Sequence, residues 1–121
     1  MKSRHSGIMR ILKAFVYSYD GFRAAFKSEA AFRQDLLFCA FGAVAIPFIP
    51  ADATEKILLG FSLFFVLFAE LVNTAIEALT DLASPNYHEL AKTAKDIGSL
   101  LVLLSYINVA IFWGMAIYKI L

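Results

Sequence analysis

Three acids and an asparagine interrupt the largely apolar stretch AELVNTAIEALTDL, residues 69–82. At 100° per helical residue, Glu70, Glu77 and Asp81 fall within about 40° of one another, with Asn73 on the flank. Polar side chains in an apolar helix are costly unless they face a bundle interior or a wet cavity. This stripe therefore points at protein, water or ligand. Glu70 and Glu77 stand about 10 Å apart along the helix axis, while a Mg²⁺ ion needs its oxygens at roughly 2.1 Å. One ion is not ligated directly by both. Glu77 suits a metal, and Glu70, deeper in the apolar part, suits a general base acting on something that arrives from a bilayer.

Two further clusters belong at the same level. In AKTAKDIGS, 91–99, Lys95 can neutralise phosphate charge beside Asp96, and Gly98 permits close backbone approach. In SEAAFRQD, 28–35, Glu29 offers a second carboxylate to a metal held by Glu77. Taken singly, Lys95 and Asp96 read as interfacial anchors and Glu29 as an exposed surface acid. Beside the carboxylate stripe, acids, a lysine and a metal site at one membrane surface suit phosphoryl transfer. A stripe that only registers packed helices, or lines a pore or proton path, is the competing reading. His5 and His88 lack zinc-ligand spacing, and neither a GxxxxGK[ST] loop nor a GxGxxG is present.

The elements that must position these residues are helices in a membrane. The 121 residues are 60% hydrophobic and 17% charged, with a mean hydropathy of +0.70. That is too oily for a small soluble domain, and one domain is expected. Residues 8–27 read as an amphipathic helix whose stripe is Ile8, Ile11, Leu12, Phe15, Val16, Tyr19, Phe22 and Phe26. With Arg10, Lys13, Arg23 and Lys27 mostly elsewhere, it suits the membrane interface. Three spans follow, over about 32–50, 56–81 and 97–118. Extending the first span back through Ala30–Phe32 sets Arg33, Gln34 and Asp35 near the headgroups. PADATEK, 50–56, is a polar turn with Asp52 or Thr54 as a possible N-cap. SPNYHELAKTAKD, 84–96, reads as a polar loop with room for a short helix after Pro85.

Charge sets the orientation. With the N-terminus in the cytoplasm, the inner side carries Lys2, Arg4, Arg10, Lys13, Arg23, Lys27, Arg33, Lys92 and Lys95, and the outer side Lys56 and Lys119. The C-terminus is then outside. A basic arm can bind nucleic acid, but here it precedes membrane spans, and no nucleic-acid partner is expected. No cleavable signal peptide is expected either, because Lys13, Asp20 and Arg23 break any continuous apolar region. The single cysteine, Cys39, reads as a small packing residue.

EAAFRQD (29–35), ELVNTAIEALTD (70–81), NYHELAKTAKDIGS (86–99) and the three-span layout resemble the prokaryotic diacylglycerol kinases. These are small integral-membrane lipid kinases, and the similarity runs in register from the surface helix to Trp113. The resemblance implies ATP-dependent phosphorylation of 1,2-diacylglycerol to phosphatidate, with Mg²⁺, at the cytoplasmic face of a bacterial inner membrane. It implies Glu70 as catalytic base, and Glu29 and Glu77 as holders of the metal with the ATP phosphates. It implies nucleotide contacts from Tyr17, Asn86, Tyr87, His88, Lys95 and Asp96. Arg10, the Ala31, Phe32, Arg33 and Gln34 segment, Ser99 and Trp113 would line the lipid site, with Asn73 and Asp81 in support. A homotrimeric helical bundle that buries the polar stripe is also implied. Three features depart from the family's pattern: Asp35 where a glutamate is familiar, the bulkier Leu100 and Leu101, and Pro85 before Asn86. Undecaprenol kinase, of the same architecture, is the close rival. A non-enzymatic ion or proton pathway, or an assembly subunit, is the rival from another class.

Overall fold

The computed structural model describes residues 6–121, so Lys2, Arg4 and His5 lie outside the described residues. Four α-helices make up almost all of it: α1 Gly7–Ser28, α2 Ala30–Ala45, α3 Ala53–Ala83 and α4 Glu89–Ile120, with a 3₁₀ turn Ile46–Phe48 after α2. Three segments are long and apolar enough to cross a membrane: Ala30–Phe48, Ala53–Ala83 and Glu89–Ile120. At 1.5 Å per residue the 31-residue α3 is about 46 Å long, well beyond a ~30 Å hydrocarbon core. Its polar last turns can therefore stand clear of the acyl chains while its middle stays within them.

The chain bends between α1 and α2 at one extended residue, Glu29 (φ −117°, ψ 106°). Arg33 stabilises this bend from the next turn. Its guanidinium donates to the Phe26 carbonyl (2.5 Å) and the Lys27 carbonyl (3.2 Å), two groups that the end of α1 leaves without helical partners. Phe32 is fully buried and meets the Phe22 ring edge-on at 5.6 Å. Ile8, Ile11, Leu12, Phe15 and Val16 of α1 lie exposed.

Pro47 sits in the 3₁₀ turn that closes the first span, where its missing N–H ends the α-helical ladder. Asp52 then caps α3 by accepting from the Glu55 N–H at 2.8 Å, so of the two candidate caps it is Asp52 that serves. The long helices α3 and α4 form the main antiparallel pair, and α2 packs on α3. Lys119 and Glu55 tie the far ends of the pair at 2.8 Å. The buried cluster is Cys39, Leu63, Val66 and Val109, flanked by Tyr106 and Trp113. Ala69, Ala116, Ser62 and Ser105 are also buried. Helices in lipid gain little from hydrophobic burial against each other, so small residues that allow close approach hold the contacts. Cys39 packs here as expected, its thiol 3.3 Å from the Leu63 carbonyl.

Two expectations need correction. The segment Glu89–Asp96 is not loop but the first two turns of α4. His88 caps it, its Nδ1 accepting from the Leu90 N–H at 3.1 Å, and Lys92 pairs with Asp96 one turn on at 2.7 Å. Hydropathy marks where a helix is oily, not where it begins. The loop proper is Ser84–His88, turned by a 2.7 Å bond from Ser84 Oγ to the Asn86 carbonyl. Secondly, Arg33 and Gln34 are exposed, but the Asp35 side chain does not face outward with them. It is buried, with 6% of its surface exposed, because the next turn of α2 faces α3 and α4.

Candidate active site

The polar stripe of α3 grades from buried to exposed along its length. Glu70 and Asn73 are buried, Glu77 is half-buried and Asp81 is exposed. The deep half is enclosed within a single chain, since α2 and α4 each bring a polar group to it. Asp35 of α2, Glu77 and Glu29 are near enough to Glu70 for their charges to act on it. Tyr106 of α4 donates its hydroxyl to Asp35 Oδ1. A cluster of acids at this depth has the composition of a proton-handling site.

Gly98 fixes the separation of α3 and α4 at the next level. A Cβ there would overlap Asn73 Oδ1 and would stand 3.7 Å from Ile76 Cδ1. With only a hydrogen in that place, Asn73 fits against the α4 backbone and its Nδ2 donates to Glu77 Oε1 at 3.3 Å. The glutamate two turns above Glu70 is thereby held through a side chain that Gly98 admits.

At the exposed end, Lys95 of α4 pairs with Asp81 of α3 at 2.5 Å. Asp96 is taken up by Lys92 of its own helix. Glu29 makes no capping bond although it sits at a helix junction, and its carboxylate has no partner among the described residues. Glu77 uses one oxygen on Asn73 and keeps the other. No group of three or more His, Cys, Asp or Glu residues converges on one point among the described residues. A divalent ion here would take two carboxylates and complete its shell from phosphate and water oxygens. Mg²⁺ takes that mixture more readily than an all-protein cage.

The remaining predicted site residues are placed less closely. Asn86 and Tyr87 are exposed in the loop, and His88 serves as the α4 cap. Ser99 is exposed one residue past Gly98. Arg10 and Tyr17 are exposed on α1, and among the described residues neither hydrogen-bonds to the stripe. Ala31 is exposed, Phe32 is a packing residue and Arg33 caps α1. Trp113 lies on the other side of the Glu70 level. Its indole N–H donates to Ser62 Oγ at 3.1 Å, about 12 Å along α3 from Glu70. Tyr106 was not visible as a site residue from its neighbours in sequence, because a lone tyrosine in an apolar span resembles ordinary packing. The signal that could have found it was Asp35, an acid at the start of an apolar span.

The fold and this face define a polytopic helical membrane protein with a carboxylate site at one end of its long helix pair. The family model for prokaryotic diacylglycerol kinase matches residues 16–117. The chain is 39% identical over 119 residues to the diacylglycerol kinase of Escherichia coli K12, covering 98% of each protein. It is 39% identical over 112 residues to that of Pseudomonas aeruginosa PAO1, covering 90% of this chain and 89% of the relative. It is 37% identical over 108 residues to that of Helicobacter pylori J99, covering 89% and 84%. The chain belongs to the prokaryotic diacylglycerol kinase family.

Proposed function

We propose that this protein phosphorylates the free hydroxyl of 1,2-diacylglycerol with ATP at the cytoplasmic face of a bacterial inner membrane. The observation that carries the reading is the graded stripe. A carboxyl buried inside the helix bundle stands two turns from a half-buried acid, with a lysine–aspartate pair at the exposed end beyond it. In the reaction the lipid oxygen bonds to the γ-phosphorus, the bond to the β–γ bridging oxygen breaks, and ADP leaves. Glu70 takes the hydroxyl proton as that oxygen attacks. Glu77 and Glu29 would hold Mg²⁺, which when bound offsets charge on the phosphates. Lys95 adds a positive charge that can turn from Asp81 to phosphate, and Asp96, Asn86, Tyr87, His88 and Tyr17 would complete the nucleotide site.

Arg10, the Ala31–Gln34 segment, Ser99 and Trp113 would line the lipid's path, with α1 lying in the membrane interface. Its exposed apolar stripe supports that position. The basic residues of α1, the α1–α2 bend and the start of α4 support a cytoplasmic N-terminus and a periplasmic C-terminus. A homotrimer would cover exposed parts of the site near Asp81 and the loop. The test is lipid phosphorylation by the purified protein in mixed micelles with Mg²⁺ and γ-labelled ATP, diacylglycerol and undecaprenol being offered in parallel. Label in phosphatidate is expected. Label mainly in undecaprenyl phosphate would keep the chemistry and change the substrate, and no label in either would return the stripe to a pore or packing role.

A further inference from the structure

The end of the α3–α4 pair away from Asp81 carries two opposite charges beside two apolar grooves. Glu55 lies in the first turn of α3 and Lys119 in the last turn of α4, and the ammonium meets Glu55 Oε1 at 2.8 Å. Charged side chains at the ends of apolar spans reach to headgroup level. Lys119 is exposed and Glu55 half-buried, and an exposed pair of this kind adds little to stability. Opening it therefore costs little. The one bond also leaves two N–H donors on the ammonium and a second oxygen on the carboxylate. From Glu55 and Lys119 a groove of about 240 Å³ runs between the helices, walled by Leu58, Leu59, Phe112, Met115 and Ala116. A second groove, of about 560 Å³, crosses the face of α4 over Ala110, Ile111, Gly114 and Tyr118, and it shares Met115 and Lys119 with the first. Gly114 leaves its floor flat, and even a Cβ there would meet nothing within 4 Å. The exposed Met115 thus forms a ridge between two apolar channels that meet at one charged pair.

We propose that this end of the protein binds a diacyl phospholipid whose headgroup carries both a phosphate and a primary ammonium, with one acyl chain in each groove. Lys119 donates to the lipid phosphate, and Glu55 accepts from the lipid ammonium. Two charge-assisted pairs replace the single pair within the protein, and no charge is left unmatched. Other lipids match less well. A headgroup with phosphate alone sets a negative charge beside Glu55. A quaternary ammonium has no N–H to give that carboxylate. A single-chain lipid leaves one groove without a chain. Diacylglycerol carries neither charge, and the site uses no residue of the carboxylate stripe, so the lipid held here is an accessory and not the substrate.

The test is native mass spectrometry of the full-length protein released from micelles that contain phosphatidylethanolamine, phosphatidylcholine or phosphatidylglycerol with identical acyl chains. Half-saturation by phosphatidylethanolamine is expected at about tenfold lower lipid concentration than by either of the others, the effect of one charge-assisted hydrogen bond. Glu55→Gln should bring the three lipids within about twofold of one another, because the group that reads the ammonium is gone. Lys119→Gln should weaken all three, since each carries a phosphate. Gly114→Leu fills the second groove and should weaken the diacyl lipid while leaving lyso-phosphatidylethanolamine, with its single chain, unaffected. Each variant is read at the oligomeric mass of the unmodified protein, which the same spectra report. Equal retention of the three lipids by the unmodified chain overturns the proposal, as does an ethanolamine preference that survives Glu55→Gln. A second copy of the chain seated on the grooves would instead exclude lipid of every class, and that result overturns it too. Should Gly114→Leu not assemble, the Glu55→Gln comparison decides.

Discussion

Adding one methyl group at Gly98 should damage the proposed metal site two side chains away. The Cβ of Gly98→Ala would overlap Asn73 Oδ1 and press toward Ile76. Asn73 is buried and is tied to Glu77 at 3.3 Å, so its amide has little room to swing aside. Either α3 and α4 move apart or Asn73 rotates and releases Glu77. Overpacking of this sort costs about 1–3 kcal/mol, and the lost bond to a carboxylate about 1.5–3 kcal/mol. Part of the strain relaxes, so a loss of about 2 kcal/mol in Mg²⁺ or MgATP affinity is expected, roughly thirtyfold in the Mg²⁺ concentration at half-maximal rate. The assay is a Mg²⁺ titration of lipid phosphorylation at saturating diacylglycerol, with unfolding in micelles followed in parallel. Repeating it on Asn73→Ala should remove most of the added cost, since the clashing amide is then gone. Unchanged Mg²⁺ dependence and unchanged stability in Gly98→Ala would refute the chain of contact from Gly98 through Asn73 to Glu77.

Other substitutions separate scaffold from chemistry. Trp113→Phe removes the indole donor to the buried Ser62 hydroxyl and should cost about 1 kcal/mol of stability, read from unfolding in micelles. Turnover in that variant should change less than stability unless the indole also touches the lipid. Asp52→Ala removes the cap of α3 and should cost about 1 kcal/mol in the same measurement, with kinetics unaffected. Lys95→Ala, which leaves Asp81 without its partner, should raise KM for MgATP roughly tenfold while KM for diacylglycerol stays put.

The third span was legible because residues 97–118 carry no charge, and the first two because the shorter apolar runs 36–50 and 57–69 stand between polar segments. The stripe was legible because helical phase alone puts Glu70, Glu77 and Asp81 on one face. Legible too was the role of Gly98 as a place of close approach, although its partner Asn73 could not be named from spacing. The start of α4 was not legible: ELAKTAKD is polar, and its helicity comes from the His88 cap and a Lys92–Asp96 pair, signals weaker than hydropathy. The burial of Asp35 against α3 and α4 was not legible because its neighbours Arg33 and Gln34 are surface residues. One-residue steps on a helix change the facing direction by 100°. The link from Tyr106 to Asp35 joins residues far apart in the chain, and no local pattern encodes such a pair. The burial of Glu70 within a single chain was also not evident, since α2 and α4 had to be placed before their contribution could be seen.

The central claim is that Glu70 removes the proton from the lipid hydroxyl. Its most direct test is Glu70→Gln, measured for lipid phosphorylation and, on the same preparation, for MgATP binding. Glutamine keeps the size of the buried side chain and removes its capacity as a base. The account predicts a folded protein that binds MgATP as the unmodified chain does and shows a loss of turnover of about a thousandfold, within the range that general-base catalysis provides. Turnover within a few-fold of the unmodified enzyme, with nucleotide binding intact, would contradict it and move the base elsewhere in the acid cluster.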